Sequence, residues 1–266
     1  MRERIRLDAL LVRRGLFENR SRAAAAVMAG EVSVADVTAS KPGSLVLPDV
    51  DVSVADAPRY VSRGGLKLER ALECFVMPVE GRMCLDVGAS TGGFTDCLLR
   101  HGAAGVTCVD VGYGDLDWRL REDARVTVLE RVNARNLESD ALPYRPDLIV
   151  MDLSFISLGK VLPAVASVAA ARFDLLALVK PQFEVGRGKV GKGGVVRDPD
   201  DRMEALVGAG EAAREAGLSV QAYCSSGLPG PAGNRESFMW CTEPARAGVE
   251  DLPAAARATE LEVAPS

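Results

Sequence analysis

From Arg82 onward, short apolar runs alternate with segments of helical periodicity. MCLDVG leads into FTDCLLRHG, GVTCVDVG and ARVTVLER follow, and PDLIVMDLS precedes an apolar helical stretch over residues 161–171. FDLLALVKP comes next, then a glycine-rich insertion, then a helical pattern over 201–217. Nearly continuous apolar strands separated by helices predict a mostly parallel, doubly wound α/β sheet of the Rossmann-like kind. The last two runs, LSVQAYCSS and RESFMWCT, are separated only by GLPGPAGN, so they are expected to pair antiparallel.

The first 58 residues have a different rhythm. Leu7, Leu10 and Leu11 recur at helical spacing from Ile5 to Arg14, and Gly15 suits a C-terminal cap. Asn19 or Ser21 can cap a second helix from Arg22 to Ala29, ended by Gly30. EVSV, SLVL and DVSV then read as small strands. The expected organisation is a small N-terminal α+β domain over 1–58, a linker over 59–65, a large domain over 66–242 and a mobile tail over 243–266. Within that tail a short helix is expected near Pro253–Leu261.

Composition narrows the function classes by exclusion. Of the 266 residues 48% are hydrophobic and 26% charged, which suits a soluble globular chain. The N-terminus is broken by charges and lacks the apolar core of a leader. The stretch from Val161 to Ala171 is too short to span a bilayer. A cytoplasmic location is expected. The six cysteines form no CxxC pair and are expected to be reduced thiols, so no metal site is expected. The single histidine, His101, follows a helix, and no GxSxG elbow is present, which argues against triad hydrolysis. The net charge of −5 gives no bulk signal for nucleic acid. Locally, however, Arg4, Arg6, Arg14, Arg20 and Arg22 crowd the first helices, and the guanidinium fork suits phosphate.

The stretch CLDVGASTGGFTD, residues 84–96, runs from a strand through a glycine turn into a helix. Its G-x-x-x-G-G spacing is neither the dinucleotide fingerprint nor a phosphate loop, which would carry a lysine after the last glycine. Asp86 beside the turn would repel a diphosphate and suits a ligand with an amino group. Asp110 ends the next strand, where an acid binds ribose hydroxyls. A nucleoside-type cofactor is expected, with S-adenosylmethionine the best match to an acid next to the turn. Its binding set is expected to be Asp86, Gly88, Ala89, Ser90, Gly92, Gly93, Phe94 and Asp110, with Asn133 near the adenine edge.

Asp152 and Lys180 close the fourth and fifth strands, where ligands gather in open α/β sheets. Lys67, in SRGGLKLERAL, and Glu236, in GNRESFMW, are singly unremarkable. Together, Lys67, Asp152, Lys180 and Glu236 match the Lys-Asp-Lys-Glu tetrad of the FtsJ-like 2′-O-methyltransferases. RLDALLVRRGLFENRSRAAAAVMAGEVSV resembles an S4-like RNA-binding domain, with Ala35-Asp36 where that family often has Asn-Gly. YVSRGGLKLERAL, LDVGASTGGFTDCLL, VDVGYGDLDWRLR, MDLSFISL and LVKPQFEVGRGKVGKGGVVRDP resemble the TlyA, or hemolysin A, family of ribosomal RNA 2′-O-ribose methyltransferases.

The resemblance implies a class I methyltransferase fold behind an RNA-binding domain, S-adenosylmethionine as cofactor, and ribosomal RNA or ribosomal subunits as partner. It implies Lys180 as general base, Asp152 and Glu236 orienting it, and Lys67 binding the ribose or an adjacent phosphate. Arg187, Lys189 and Lys192 sit in the glycine-rich insertion, which reads as a mobile cationic flap over RNA. Two other classes fit less well. A membrane-lytic protein, suggested by the family's second name, would be expected to carry an export signal, a spanning helix or long alternating strands, and none is read in this sequence. A binding-only RNA protein would not need the intact acid–lysine set. The sequence indicates no oligomeric state.

Overall fold

The computed structural model describes residues 4–28, 31–35, 37–39, 41–54 and 59–262. The chain divides after Arg59 into two compact units. In the first, β1 (Ile5–Arg6) leads directly into α1 (Leu7–Arg13), and α2 spans Arg20–Met28. Gly15 adopts φ +72° and closes α1, with Leu16 N–H donating back to Leu11 O. Asn19 is the cap of α2: its Oδ1 accepts from Arg22 N. Four short strands complete the unit with β1: β2 (Val32–Val34), β3 (Val37–Thr38), β4 (Leu45–Val46) and β5 (Val52–Val54). β2 pairs with both β3 and β5, and β1 pairs with β4. The hairpin between β2 and β3 forms despite the missing Asn-Gly, with Ala35 at φ +48°; Asp36 lies outside the described residues. Leu7, Leu11, Ala23, Ala26, Val27 and Val32 make its core.

The second unit opens with α3 (Arg63–Cys74) and β6 (Met83–Val87), followed by α4 (Gly93–Arg100), β7 (Gly105–Asp110), α5 (Trp118–Arg121) and β8 (Val126–Glu130). Then come β9 (Leu148–Met151), α6 (Leu162–Val168), β10 (Asp174–Val179), α7 (Pro181–Glu184) and α8 (Pro199–Glu215). β11 (Ser219–Ser225), β12 (Ser237–Thr242) and α9 (Leu252–Glu262) finish it. The sheet order is β11-β12-β10-β9-β6-β7-β8, parallel except for β12, which runs antiparallel to both neighbours. This is the expected doubly wound class I methyltransferase sheet.

Strand periodicity explains why both faces are covered. On β6, β9 and β10 alternate residues divide between two cores. Leu85, Val87, Ile149, Met151, Leu175 and Ala177 face the core completed by α6, α8 and α9. Cys84, Leu148, Val150, Leu176 and Leu178 face the core completed by α3 and α4. The chain moves outward in opposite directions from β6 and β9, so the crevice at their carboxyl ends is the topological switch point.

Two expectations are revised here. The segment read as a mobile tail contains α9, which packs Leu252 and Ala256 into the core and binds Arg202 through Glu260 at 2.8 Å. Its small apolar residues fall on one helical face, a signal diluted by the surrounding Ala, Glu and Pro. The segment read as linker is also structural from Tyr60 on. Tyr60 is buried and donates to Glu69 Oε1 at 2.9 Å, and Val61 N donates to Asp96 Oδ2.

Candidate functional site

The turn after β6 lies at the switch point, and its glycines answer to packing. Gly88 has φ +85°, and a Cβ there would sit 2.5 Å from the Asp152 carbonyl oxygen, so only glycine lets the ends of β6 and β9 approach. A Cβ on Gly93 would meet Ser62 Oγ at 2.2 Å, so glycine allows the first turns of α3 and α4 to touch. Gly92 is the N-cap of α4, and Phe94, buried on that helix, packs on Phe238 at 5.8 Å. The result is a cavity of about 380 Å³ reached by Gly88, Ala89, Ser90, Asp86, Lys67, Asp152, Lys180 and Glu236.

Asp86 is fully buried on β6. Thr95 Oγ1, one turn into α4, donates to its Oδ2 at 2.7 Å, while Oδ1 has no hydrogen-bond partner among the described residues. Burial pushes its carboxyl up to about 7; the Thr95 bond opposes this, and the charges of Asp152 and Asp110 add to it. A cation placed in the cavity would relieve that penalty.

Asp110, at the end of β7, accepts from Ser90 N at 2.8 Å and from Gly112 N at 2.7 Å. Ser90 holds φ +46°, a left-handed turn that this bond supports. Asp110 and Asn133 both line an adjoining cavity of about 390 Å³, which shares Gly88, Ser90 and Asp152 with the first. Asn133 Oδ1 accepts from Arg135 N and caps a short turn. The two cavities together run from Asp86 past the ends of β6 and β7.

The four charged residues come together as two pairs. Lys67 Nζ donates to Glu236 Oε2 at 2.5 Å, and both side chains are buried. Glu236 Oε1 has no hydrogen-bond partner among the described residues. Lys180 Nζ lies 2.6 Å from Asp152 Oδ1, but off the direction of a hydrogen bond; its hydrogen bond goes to Ser154 Oγ at 2.9 Å. β12 is antiparallel, so Glu236 just before its start stands at the same end of the sheet as Lys180 just after β10.

Sequence reading missed several residues of this site. Ser62, Arg63 and Gly64, read as linker, line the first cavity from the start of α3. Thr95 and Ser154 orient Asp86 and Lys180. A serine before Gly64-Gly65 at a helix start was the one available signal; no spacing marks Thr95 or Ser154.

The basic residues are more committed than their count suggests. Arg6 and Arg20 share Asp8, at 2.7 and 3.2 Å, and pull its carboxyl down to about 2, chiefly through the Arg6 hydrogen bond. Arg14 donates to Pro48 O and Val50 O, Arg22 pairs with Glu18, and Arg4 is exposed. In the insertion, Lys189 pairs with Asp201 at 3.0 Å and with Glu204, and Lys192 is exposed. Arg187 opens a short turn ending at Lys189. The flap is not free throughout: Val196 is buried, its N–H donates to Asn234 Oδ1, and Asn234 Nδ2 donates to Gly194 O.

Comparisons with known proteins agree with this geometry. Residues 60–243 match the profile of the FtsJ-like methyltransferases, and residues 5–52 match the S4 domain. The chain is 51% identical over 242 residues, 90% of each chain, to the Mycobacterium tuberculosis 16S/23S rRNA (cytidine-2′-O)-methyltransferase TlyA. It is 39% identical to Hemolysin A of Brachyspira hyodysenteriae, over 87% of this chain and 97% of that one. A solved Streptococcus thermophilus structure, a hemolysin candidate, superposes with a TM-score of 0.75 at 37% identity, covering 98% of this chain and 96% of that chain. With an S4 domain followed by an FtsJ-like methyltransferase domain, the chain belongs to the TlyA (hemolysin A) family.

Proposed function

We propose that the protein methylates ribose 2′-hydroxyls of ribosomal RNA, with S-adenosylmethionine as donor. The observation that carries the reading is the pairing of Lys180–Asp152 and Lys67–Glu236 around the cavity that also holds the orphaned Asp86 oxygen. When bound, S-adenosylmethionine supplies an electrophilic methyl group on a sulfonium. Asp86 suits its ammonium, since Oδ1 is buried without a donor. Asp110 suits the ribose hydroxyls: each carboxylate oxygen already takes one backbone N–H and keeps a free lone pair. Asn133, which lines the adjoining cavity, would read the adenine edge.

A ribose hydroxyl is a weak nucleophile and must be positioned and deprotonated. Lys180 would take that proton at Nζ. Asp152 and Ser154 hold Nζ in place. Glu236 fixes Lys67, whose ammonium faces the acceptor ribose or its phosphate. The N-terminal unit, through Arg4, Arg6, Arg14, Arg20 and Arg22, and the insertion, through Arg187, Lys189 and Lys192, would hold the RNA backbone.

The test is methyl incorporation from labelled S-adenosylmethionine into ribosomal RNA, with nucleoside digestion to locate the label. The wild type should place it on ribose oxygen. Lys180→Ala should lose transfer while binding the cofactor as before. Full activity in that variant, or label on a base, overturns the assignment. Among the described residues no helix is long and apolar enough to cross a membrane. Red-cell lysis by the same preparation, with no methyl transfer, would favour a lytic role instead.

A further inference from the structure

A separate cavity of about 410 Å³ abuts the methyl-transfer cavity, and the Glu236 side chain is a wall of both. Arg70 enters it from α3, one turn beyond Lys67, and Arg235 enters it from the residue before Glu236. Ser225, Ser226 and Gly227 form its floor after β11.

The electrostatics of this cavity are one-sided. Among the described residues Glu236 is the only acid lining it, and that charge is matched by Lys67 at 2.5 Å. Among the described residues neither Arg70 nor Arg235 makes a hydrogen bond or ion pair. Arg70 is exposed and Arg235 half-buried, whereas the other buried and half-buried arginines, Arg82, Arg202 and Arg246, each hold a carboxylate. Two guanidinium groups lining one cavity together offer ten N–H donors in planar forks, the geometry that phosphate oxygens satisfy.

The cavity is also built in advance. Arg63 Nη2 donates to Pro229 O at 2.7 Å and holds the loop down. Ser226 N donates to Glu236 O, and Ser226 Oγ donates to Leu228 O. Gly227 takes φ +72°, which favours glycine in the turn beside the Arg70 stem.

We infer that this Arg70–Arg235 cavity binds a backbone phosphate of the substrate RNA strand next to the acceptor nucleotide. The inference rests on the methyl-transfer reading above. A strand whose 2′-hydroxyl reaches Lys180 carries phosphates on both sides of that ribose, and the Glu236 wall separates the reacting site from these two unmatched cations. The phosphate contact fixes register along the strand and reads no base.

The test uses the full chain with Arg70→Ala/Arg235→Ala and Arg70→Lys/Arg235→Lys. KM for ribosomal RNA, kcat, cofactor affinity and the salt dependence of RNA binding are measured for each. The alanine pair should raise KM about tenfold or more, and flatten the log–log salt slope by about 0.7 to 1, with cofactor affinity unchanged. The lysine pair keeps the charge and should recover most of the slope but only part of KM. Unchanged KM and slope in the alanine pair overturn the inference, as does a parallel loss of cofactor affinity, which would mark a structural role. If the wild type methylates no RNA, the methyl-transfer reading fails by itself. The salt slope of RNA binding still decides whether the cavity holds phosphate.

Discussion

Replacing Asp86 by Asn should make the ligand-free protein more stable at pH 8 while weakening its hold on S-adenosylmethionine. The carboxyl is fully buried, and its pKa is raised from the usual 3.8 to about 7, first by burial. An acid raised in this way costs stability as pH climbs from its unfolded value toward its folded one, and the cost is constant above that. The full gap between 3.8 and about 7 corresponds to roughly 4 kcal/mol. Between pH 5 and pH 8 the linkage integral gives a loss of roughly 2 to 3 kcal/mol for the wild type, which Asp86→Asn would not share. Urea unfolding of both proteins at those two pH values measures the difference directly. The same ionisation governs the ligand: the charged carboxylate is the form that receives an ammonium. Calorimetric affinity for S-adenosylmethionine should therefore fall about tenfold from pH 8 to pH 6 in the wild type and change less in the variant. Parallel stability profiles for the two proteins, or a pH-independent affinity in the wild type, would refute the account of Asp86 as the cationic-arm receptor.

Gly88→Ala should cost about 3 kcal/mol or more and abolish cofactor binding, because its Cβ meets the Asp152 carbonyl at φ +85°; normal thermal stability would contradict this. Lys67→Ala leaves Glu236 buried without its partner and should cost about 3–5 kcal/mol, whereas Lys67→Met/Glu236→Leu should regain much of that stability while remaining inactive. Urea unfolding separates the two outcomes, and equal loss in both variants would mean that the pair is not the source. Leu252→Ala should destabilise by about 2–5 kcal/mol in a thermal or urea melt; an unchanged midpoint would return residues 252–262 to the status of an unpacked tail.

Local pattern was enough for most elements. The apolar runs of β6, β9 and β10 are legible because parallel strands buried on both faces leave little room for polar residues. Asp86, Asp152 and Lys180 stood out for the same reason: each interrupts or ends such a run, and strand ends in this architecture converge on one crevice. Gly15 and Asn19 marked helix ends through capping chemistry that acts within a few residues. Lys67 and Glu236 did not stand out singly. They are 169 positions apart, and only the antiparallel placement of β12 beside β10 brings Glu236 to the end of the sheet where α3 presents Lys67. α9 was underestimated because its burial depends on a groove between α8 and β11 that no nearby residue announces. The arginines were easy to count, but which of them are free was not readable, since two share Asp8 and backbone carbonyls hold a third. Residue types and their local order therefore determined the strands, the helix caps and the candidate chemistry of this chain. Pairing, burial and the availability of each charge were decided by the tertiary structure, because those properties depend on contacts between residues far apart in the sequence.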